Sequence, residues 1–327
     1  MCTAISVTSK HHYFGRNLDY EHGFGEKIVI TPRRYPFLFR NGIVLDDHYA
    51  IIGMALPVDG YPLYFDATNE KGLSIAGLNF PVNAVYRKPS CTQDNVASFE
   101  LIPWILSQCK TVADAEKLFE AMCITDEAFN EALKPSPLHW FCADGQRSIT
   151  VEQTREGLRI FENPAGVLTN NPPFAMQMMH LTDFLSVMPS EPKNRFSEKL
   201  DLEPYSRGMG GIGLPGDLSS ASRFVKACFL KLNSIYGDTE QQRVNSFFHV
   251  LYGVYQQHGC VQVGQDFERT HYTSCCNTDT GVYYYTTYHN SNICAVDLHQ
   301  ENLDQQDIMV YPLVCEQKIA VQNKKRK

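Results

Sequence analysis

The chain has 327 residues, 43% hydrophobic and 20% charged, with 29 Lys and Arg against 36 Asp and Glu for a formal net charge of -7. This is an ordinary globular composition, long enough to bury a large core. The acidic balance excludes the broad basic surface of a nucleic-acid binder, and no run of about 18 apolar residues marks a membrane span.

The first residues lack the basic and then apolar stretch of a secretory leader, so a cytoplasmic protein is expected. The eleven cysteines are an odd number with no C-x-x-C pair. That fits buried thiols in a reducing compartment better than a disulfide framework or a zinc site. The basic run at 324–327 reads as part of a frayed, solvated tail over 320–327.

In chain order, residues 2–8 are rich in β-branched side chains and read as a strand. Residues 12–19 read as a second strand, joined to the first by a turn at Ser9-Lys10-His11. Further strands are expected at Lys27–Thr31, Tyr49–Ala55, Tyr61–Ala67 and Leu73–Phe80. The last two are joined by the turn Asn69-Glu70-Lys71-Gly72. Residues 97–124 change to helical spacing, with Thr111 as the N-cap of the second of two helices and Asp114 in its first turn. Strands return at Leu138–Ala143, Ser148–Gln153, Leu158–Phe161 and Gly166–Thr169, and Asn170-Asn171-Pro172-Pro173 stops the last of them.

A helix over 174–185 precedes a Gly- and Pro-rich loop at 186–220. Helices at 221–235 and 239–257 follow, then strands near 271–276, 281–287, 292–297 and 308–314. Strands at both ends with helices in separate blocks are not the alternation of a doubly wound sheet. The pattern predicts an α+β fold in a single domain, with two antiparallel sheets packed together and helices outside.

No phosphate loop, H-E-x-x-H zinc helix or G-x-S-x-G elbow occurs. His139 precedes Trp140 in a strand and reads as a packed, hydrogen-bonded histidine. Cys2, directly behind the initiator, is different. Loss of Met1 would leave a thiol and a free α-amine on one residue, a nucleophile and a proton acceptor three bonds apart. Such a centre needs a cation near the thiol, a carboxylate for the amine, donors for an oxyanion and an apolar acyl pocket. Arg16, Asp19, Asn79, Asn170 and Arg223 are candidates for the polar parts, but each taken alone reads first as an ordinary structural residue, solvated or salt-bridged at a strand end.

The segments Met1-Cys2-Thr3-Ala4, Phe14-Gly15-Arg16-Asn17-Leu18-Asp19, Asn69-Glu70-Lys71-Gly72-Leu73, Ala76-Gly77-Leu78-Asn79-Phe80-Pro81, Gly166-Val167-Leu168-Thr169-Asn170 and Ser222-Arg223-Phe224 resemble the choloylglycine hydrolase family. This family of N-terminal nucleophile hydrolases includes bile salt hydrolases and penicillin V acylases. The resemblance continues to Tyr283-Tyr284-Tyr285 and so spans nearly the whole chain. It implies a four-layer αββα sandwich, no cofactor or metal, and commonly a homotetramer. It also implies Cys2 as nucleophile after loss of Met1 alone, Asp19 holding the amine and Arg16 beside the thiol. Asn79 and Asn170 would form the oxyanion hole, with Arg223 completing the set.

Asn79 resembles the bile salt hydrolases, where penicillin V acylases often carry Tyr. Leu18, Phe24, Tyr64, Phe65 and Leu138 are the expected walls of an apolar substrate pocket. The resemblance therefore implies hydrolysis of glycine- or taurine-conjugated bile salts, with no nucleic-acid or membrane partner. Penicillin V acylase and a non-catalytic bile-acid-binding protein are the alternatives.

Overall fold

The computed structural model describes residues 1–90 and 92–323, so the basic run at 324–327 lies outside the described residues. The chain opens on the hairpin of β1 (Cys2–Thr8) and β2 (His12–Tyr20). It continues through β3 (Lys27–Thr31), the short β4 (Phe37–Leu38) and β5 (Val44–Leu45), then β6 (Ile51–Val58), β7 (Tyr61–Asn69), β8 (Ser74–Asn79) and β9 (Asp94–Ala97). Helices α1 (Leu101–Gln108) and α2 (Val112–Ala121) precede β10 (Met122–Thr125), β11 (Leu138–Ala143), β12 (Ser148–Thr154), β13 (Gly157–Glu162) and β14 (Val167–Leu168). Helices α3 (Phe174–Leu181), α4 (Ser220–Asn233) and α5 (Glu240–Tyr252) come next. The chain closes with β15 (Val261–Val263), β16 (Asp266–Asn277), β17 (Val282–Thr287), β18 (Asn290–Asp297) and β19 (Met309–Pro312).

Two antiparallel sheets carry the fold. One has the order β14-β1-β2-β16-β17-β18, with β15 beside β16; the other runs β13-β12-β11-β8-β7-β6-β3-β19. The central strands bury apolar side chains on both faces, as a sheet covered on both sides requires. Along β3, Ile28 and Ile30 pack toward the first sheet while Val29 packs in the layer of α1 and α2. Ile52 and Met54 of β6, Leu78 of β8 and Phe141 of β11 belong to the layer between the sheets, and Ile51, Ile75 and Trp140 to the outer one. Helices α4 and α5 cover the other side of the first sheet through Phe224, Ala227, Val244 and Phe247. The result is the expected α+β sandwich. At Gly15 a Cβ would fall 2.0 Å from the Ser274 carbonyl oxygen, so only glycine lets β2 approach β16 this closely.

Most elements fall where the sequence puts them. Thr111 caps α2 in a capping box: its hydroxyl accepts from the Asp114 N–H, and the Asp114 carboxylate accepts from the Thr111 N–H. Residues 97–124 differ. Two helices are present, but they are bracketed by β9 and β10, which pair in parallel with each other. Short apolar runs such as Met122-Cys123-Ile124-Thr125 carry no period that separates strand from helix, and tertiary pairing decides. The helix expected over 174–185 ends at Leu181, followed by a 3-10 turn over Thr182–Phe184.

The first hairpin also buries a titratable group. His12 is 2% exposed, with Nε2 2.8 Å from Ser6 Oγ and Nδ1 2.8 Å from Thr278 Oγ1. Burial pushes its pKa down from 6.5 to about 4. Between these values the unfolded chain binds the proton and the folded chain does not. Stability therefore rises with pH through this window and falls as pH drops from 6.5 toward 4. The contribution is at most ~3 kcal/mol. Urea denaturation of wild type and His12→Gln at pH 7 and pH 4.5 should show a smaller acid penalty in the variant.

Candidate active site

The register of β1 on β2 sets the site. Cys2 lies opposite Leu18, and Ala4 opposite Arg16. Side chains alternate, so Arg16 and Leu18 point between the sheets while Asp19 points toward α4. Cys2 is 4% exposed, and Arg16 and Asp19 are fully buried.

Asp19 is fixed by a bulge. On β16, Thr270 pairs with Asp19 and Tyr272 with Leu18, leaving His271 as the extra residue. Thr270 Oγ1 donates to Asp19 Oδ1 at 2.6 Å. Asp19 Oδ2 has no hydrogen-bond partner, and Arg223 Nη1 lies 3.9 Å from it. Burial pushes the Asp19 carboxyl up from its ordinary value. Arg223, the chain-terminal ammonium, the Thr270 hydroxyl and Arg16 pull it the other way.

Arg16 spans the gap between the sheets. Its Nη1 donates to the Gly77 carbonyl at 2.6 Å and to the Phe65 carbonyl at 3.1 Å, while Nη2 is buried without a partner. A second bulge explains the Phe65 acceptor. Met54 pairs with Asp66 and Ala55 with Tyr64, so Phe65 is the extra residue and its carbonyl leaves the ladder. The guanidinium is held above its ordinary value: burial opposes its charge, but Cys2, Tyr272, Asp66 and Asp19 outweigh it. Asp66 is itself fully buried and accepts from the hydroxyls of Tyr272, Tyr283 and Ser274 at 2.6, 2.7 and 3.1 Å.

Asn170 and Arg223 hold Cys2 from the other side. The Cys2 N–H donates to Asn170 Oδ1 at 2.7 Å, and Arg223 Nη2 donates to the same oxygen at 2.9 Å. Arg223 Nη1 donates to the Cys2 carbonyl and to Thr3 Oγ1, both at 2.6 Å. Asn170 Nδ2 gives one hydrogen to the Asn79 carbonyl at 2.7 Å, which leaves its second hydrogen available. Behind Asn170, the Ser220 hydroxyl accepts from its N–H at 2.8 Å and Gln177 Nε2 donates to its carbonyl. His139 is packed as expected. It stacks on Phe80 and bonds the Thr169 carbonyl through Nε2 at 2.9 Å.

Met1 is present, directly ahead of β1. Its carbonyl accepts from the Asp19 N–H at 2.8 Å. Its ammonium donates to the Asp19 carbonyl at 2.5 Å and to Glu268 Oε1 at 2.6 Å.

Leu18, Phe24, Tyr64, Phe65 and Leu138 line one cavity, together with Cys2, Arg16 and Asn79. Leu63, Phe99, Phe129, Leu133 and Trp140 add apolar wall. The structure thus gathers all the expected residues into one constellation. Asp66, Thr270 and Glu268 join it without having been singled out in the sequence. They occupy period-2 positions in unremarkable strands, and only the pairing of β2 with β16 and the bulge in β7 bring them in. Among the described residues no group of three or more His, Cys, Asp or Glu is placed to hold a metal ion, and no helix is long and apolar enough to cross a membrane.

Two antiparallel sheets face to face between helices, with a cysteine heading an inner strand, define an N-terminal nucleophile hydrolase fold. The chain belongs to the linear amide C-N hydrolases of the choloylglycine hydrolase family, whose family model matches residues 2–311. It is 52% identical over 317 residues to the bile salt hydrolase/transferase of Lactiplantibacillus plantarum, covering 97% of this chain and 98% of that one. It is 36% identical to the bile salt hydrolase/transferase of Clostridium perfringens, over 95% and 96% of the two chains. The crystal structure of a mutant conjugated bile acid hydrolase from Clostridium perfringens superposes with a TM-score of 0.91 at 34% identity, covering 99% of this chain and 100% of that one. The penicillin V acylase of Agrobacterium tumefaciens, at TM-score 0.76 and 17% identity, covering 95% of this chain and 90% of that one, shares the fold.

Proposed function

We propose that the chain, once Met1 is removed, hydrolyses the amide bond of glycine- or taurine-conjugated bile salts through a thioester on Cys2. The observation that carries this reading is the pairing of two unsatisfied groups around Cys2 at the end of an apolar cavity. Arg16 Nη2 and Asp19 Oδ2 are both buried without hydrogen-bond partners, though Arg223 lies 3.9 Å from the second, and buried polar atoms without hydrogen bonds are costly unless something else completes them. A thiolate would satisfy the first and an α-ammonium the second.

In this reading the thiol proton passes to the α-amine, and the thiolate attacks the amide carbonyl. The oxyanion takes hydrogen bonds from the Asn79 carboxamide and the remaining Asn170 Nδ2 hydrogen. The α-ammonium protonates the departing nitrogen, the C–N bond breaks, and glycine or taurine leaves as the free amine. Water then gives a proton to the amine and attacks the thioester, releasing bile acid and restoring the thiol. An amine in place of water would give acyl transfer, and two relatives carry the name hydrolase/transferase. The rigid, apolar steroid fits walls built from Leu18, Phe24, Tyr64, Phe65 and Leu138.

We extend the reading to a cytoplasmic homo-oligomer, a tetramer by family resemblance. The ten described cysteines are all free. Leu185, Phe196, Tyr205 and Ile212, at 85%, 82%, 85% and 63% exposure, are more apolar surface than an isolated loop usually presents.

Turnover of taurocholate, glycocholate and penicillin V by one preparation tests the substrate. The expected result is bile-salt kcat/KM at least ~10-fold above that for penicillin V, a difference of about 1.4 kcal/mol in transition-state binding. Preference for penicillin V, or no bile-salt turnover, would overturn the reading.

A further inference from the structure

We infer that Glu268 is a positioning residue for the catalytic amine: the carboxylate that holds Met1's ammonium in this structure carries the ammonium of Cys2 once Met1 is removed. This rests on the reading above of the Cys2 α-amine as the base.

Three observations lead here. Glu268 is 5% exposed, its Oε2 has no partner, and its Oε1 is engaged by Met1's ammonium at 2.6 Å. Among the described residues that ammonium is its only ion-pair partner, so loss of Met1 would remove it and leave Arg223 as the remaining cation whose charge reaches Glu268. A carboxylate this little exposed favours a new cationic partner at close range. The new ammonium appears close by. Standard backbone geometry keeps consecutive nitrogens within about 3.7 Å, so Glu268 Oε1 lies within about 6.3 Å of the Cys2 nitrogen before any side-chain rotation. Glu268 also stands two residues from Thr270 on β16, and Thr270 holds Asp19. The amine would then sit between two carboxylates of different kinds. Asp19 is fixed by Thr270 and lies 3.9 Å from Arg223, whereas Arg223 reaches Glu268 only at longer range.

The consequence is a set point for the site's protons. A carboxylate at this range favours the protonated amine and disfavours the thiolate. Replacing it with an amide lowers the proton affinity of both groups, whichever of them carries the shared proton, so the acid limb of the rate profile moves to lower pH. The other charged or titratable groups around this amine and its carboxylates are Arg16, Asp19 and Tyr20 from β2, Glu21 beside Tyr20, Arg223 from α4, Asp66 behind Arg16 from β7, His271 and Tyr272 from β16, and Tyr255 after α5. All are unchanged in a Glu268 variant.

The test is the pH dependence of kcat/KM for taurocholate between pH 4 and 8, in wild type, Glu268→Gln and Glu268→Asp. Each preparation is first shown by intact mass to lack Met1. Glu268→Gln should move the acid midpoint down by ~0.5–1 pH unit and reduce kcat at the optimum by ~3–10-fold. Glu268→Asp should move it less in the same direction, and it carries the test if the Gln variant does not fold. The pH dependence of Cys2 alkylation by iodoacetamide should shift in parallel without any turnover. A rate that merely scales, with an unmoved profile in both assays, would make Glu268 structural and overturn the inference, as would an upward shift. Failure of the underlying reading looks different: wild type retaining Met1 with full activity, or Cys2→Ala still active.

Discussion

Cys2→Ala should abolish hydrolysis of conjugated bile salts, with kcat/KM down by at least ~10⁴-fold and the fold intact. The substitution removes the only atom proposed to form the bond, and a site keeps little when its nucleophile is lost. The structural cost is small. Only one sulfur atom is lost from a side chain that is 4% exposed, which is worth about 1 kcal/mol or less. The backbone bonds of Cys2 to Asn170 and Arg223 do not involve the side chain. Taurocholate turnover together with a thermal melt separates chemistry from folding: the rate should vanish while the melting temperature moves by a few degrees at most.

Arg16→Met should damage both stability and activity, for separable reasons. Its guanidinium is the cation whose charge favours ionised, buried Asp66, and although three hydroxyls still hold that carboxylate, losing the cation should cost ~1–3 kcal/mol. Activity should fall by ~10²–10³-fold through loss of charge stabilisation at the thiolate. Adding Asp66→Asn tests the division. The double variant should regain at least ~1 kcal/mol in urea denaturation, while turnover stays at the level of Arg16→Met. Recovery of both together would mean that Arg16 acts on the site only by holding the fold.

The part of this site legible in the sequence is the part carried by local pattern and by family motif. Alternation and a polar turn place β1 and β2 as a hairpin, which by itself sets Cys2 near Arg16 and Asp19. The family motifs add Asn79, Asn170 and Arg223, whose positions on β8, after β14 and on α4 no periodicity could relate to Cys2. Glu268 and Thr270 stay hidden because they reach the site through the β2–β16 pairing, some 250 residues apart in sequence, and through the bulge at His271. Asp66 is hidden for a similar reason: the extra residue Phe65 shifts the register of β7. The helical reading of 97–124 missed β9 and β10 because a four-residue apolar strand has no period of its own. The sandwich was legible as a class because strands stand at both ends of the chain with the helices in separate blocks, which is not the alternation of a doubly wound sheet.

The central claim is that Cys2, freed of Met1, takes the acyl group. Rapid acid quenching of the enzyme during taurocholate turnover, followed by intact mass and peptide mapping, tests it most directly. The account predicts a chain lacking Met1, a fraction of it heavier by one cholanoyl group on the peptide beginning at Cys2, and loss of that adduct on treatment with hydroxylamine. An adduct elsewhere, or turnover by a chain that still carries Met1, would contradict it.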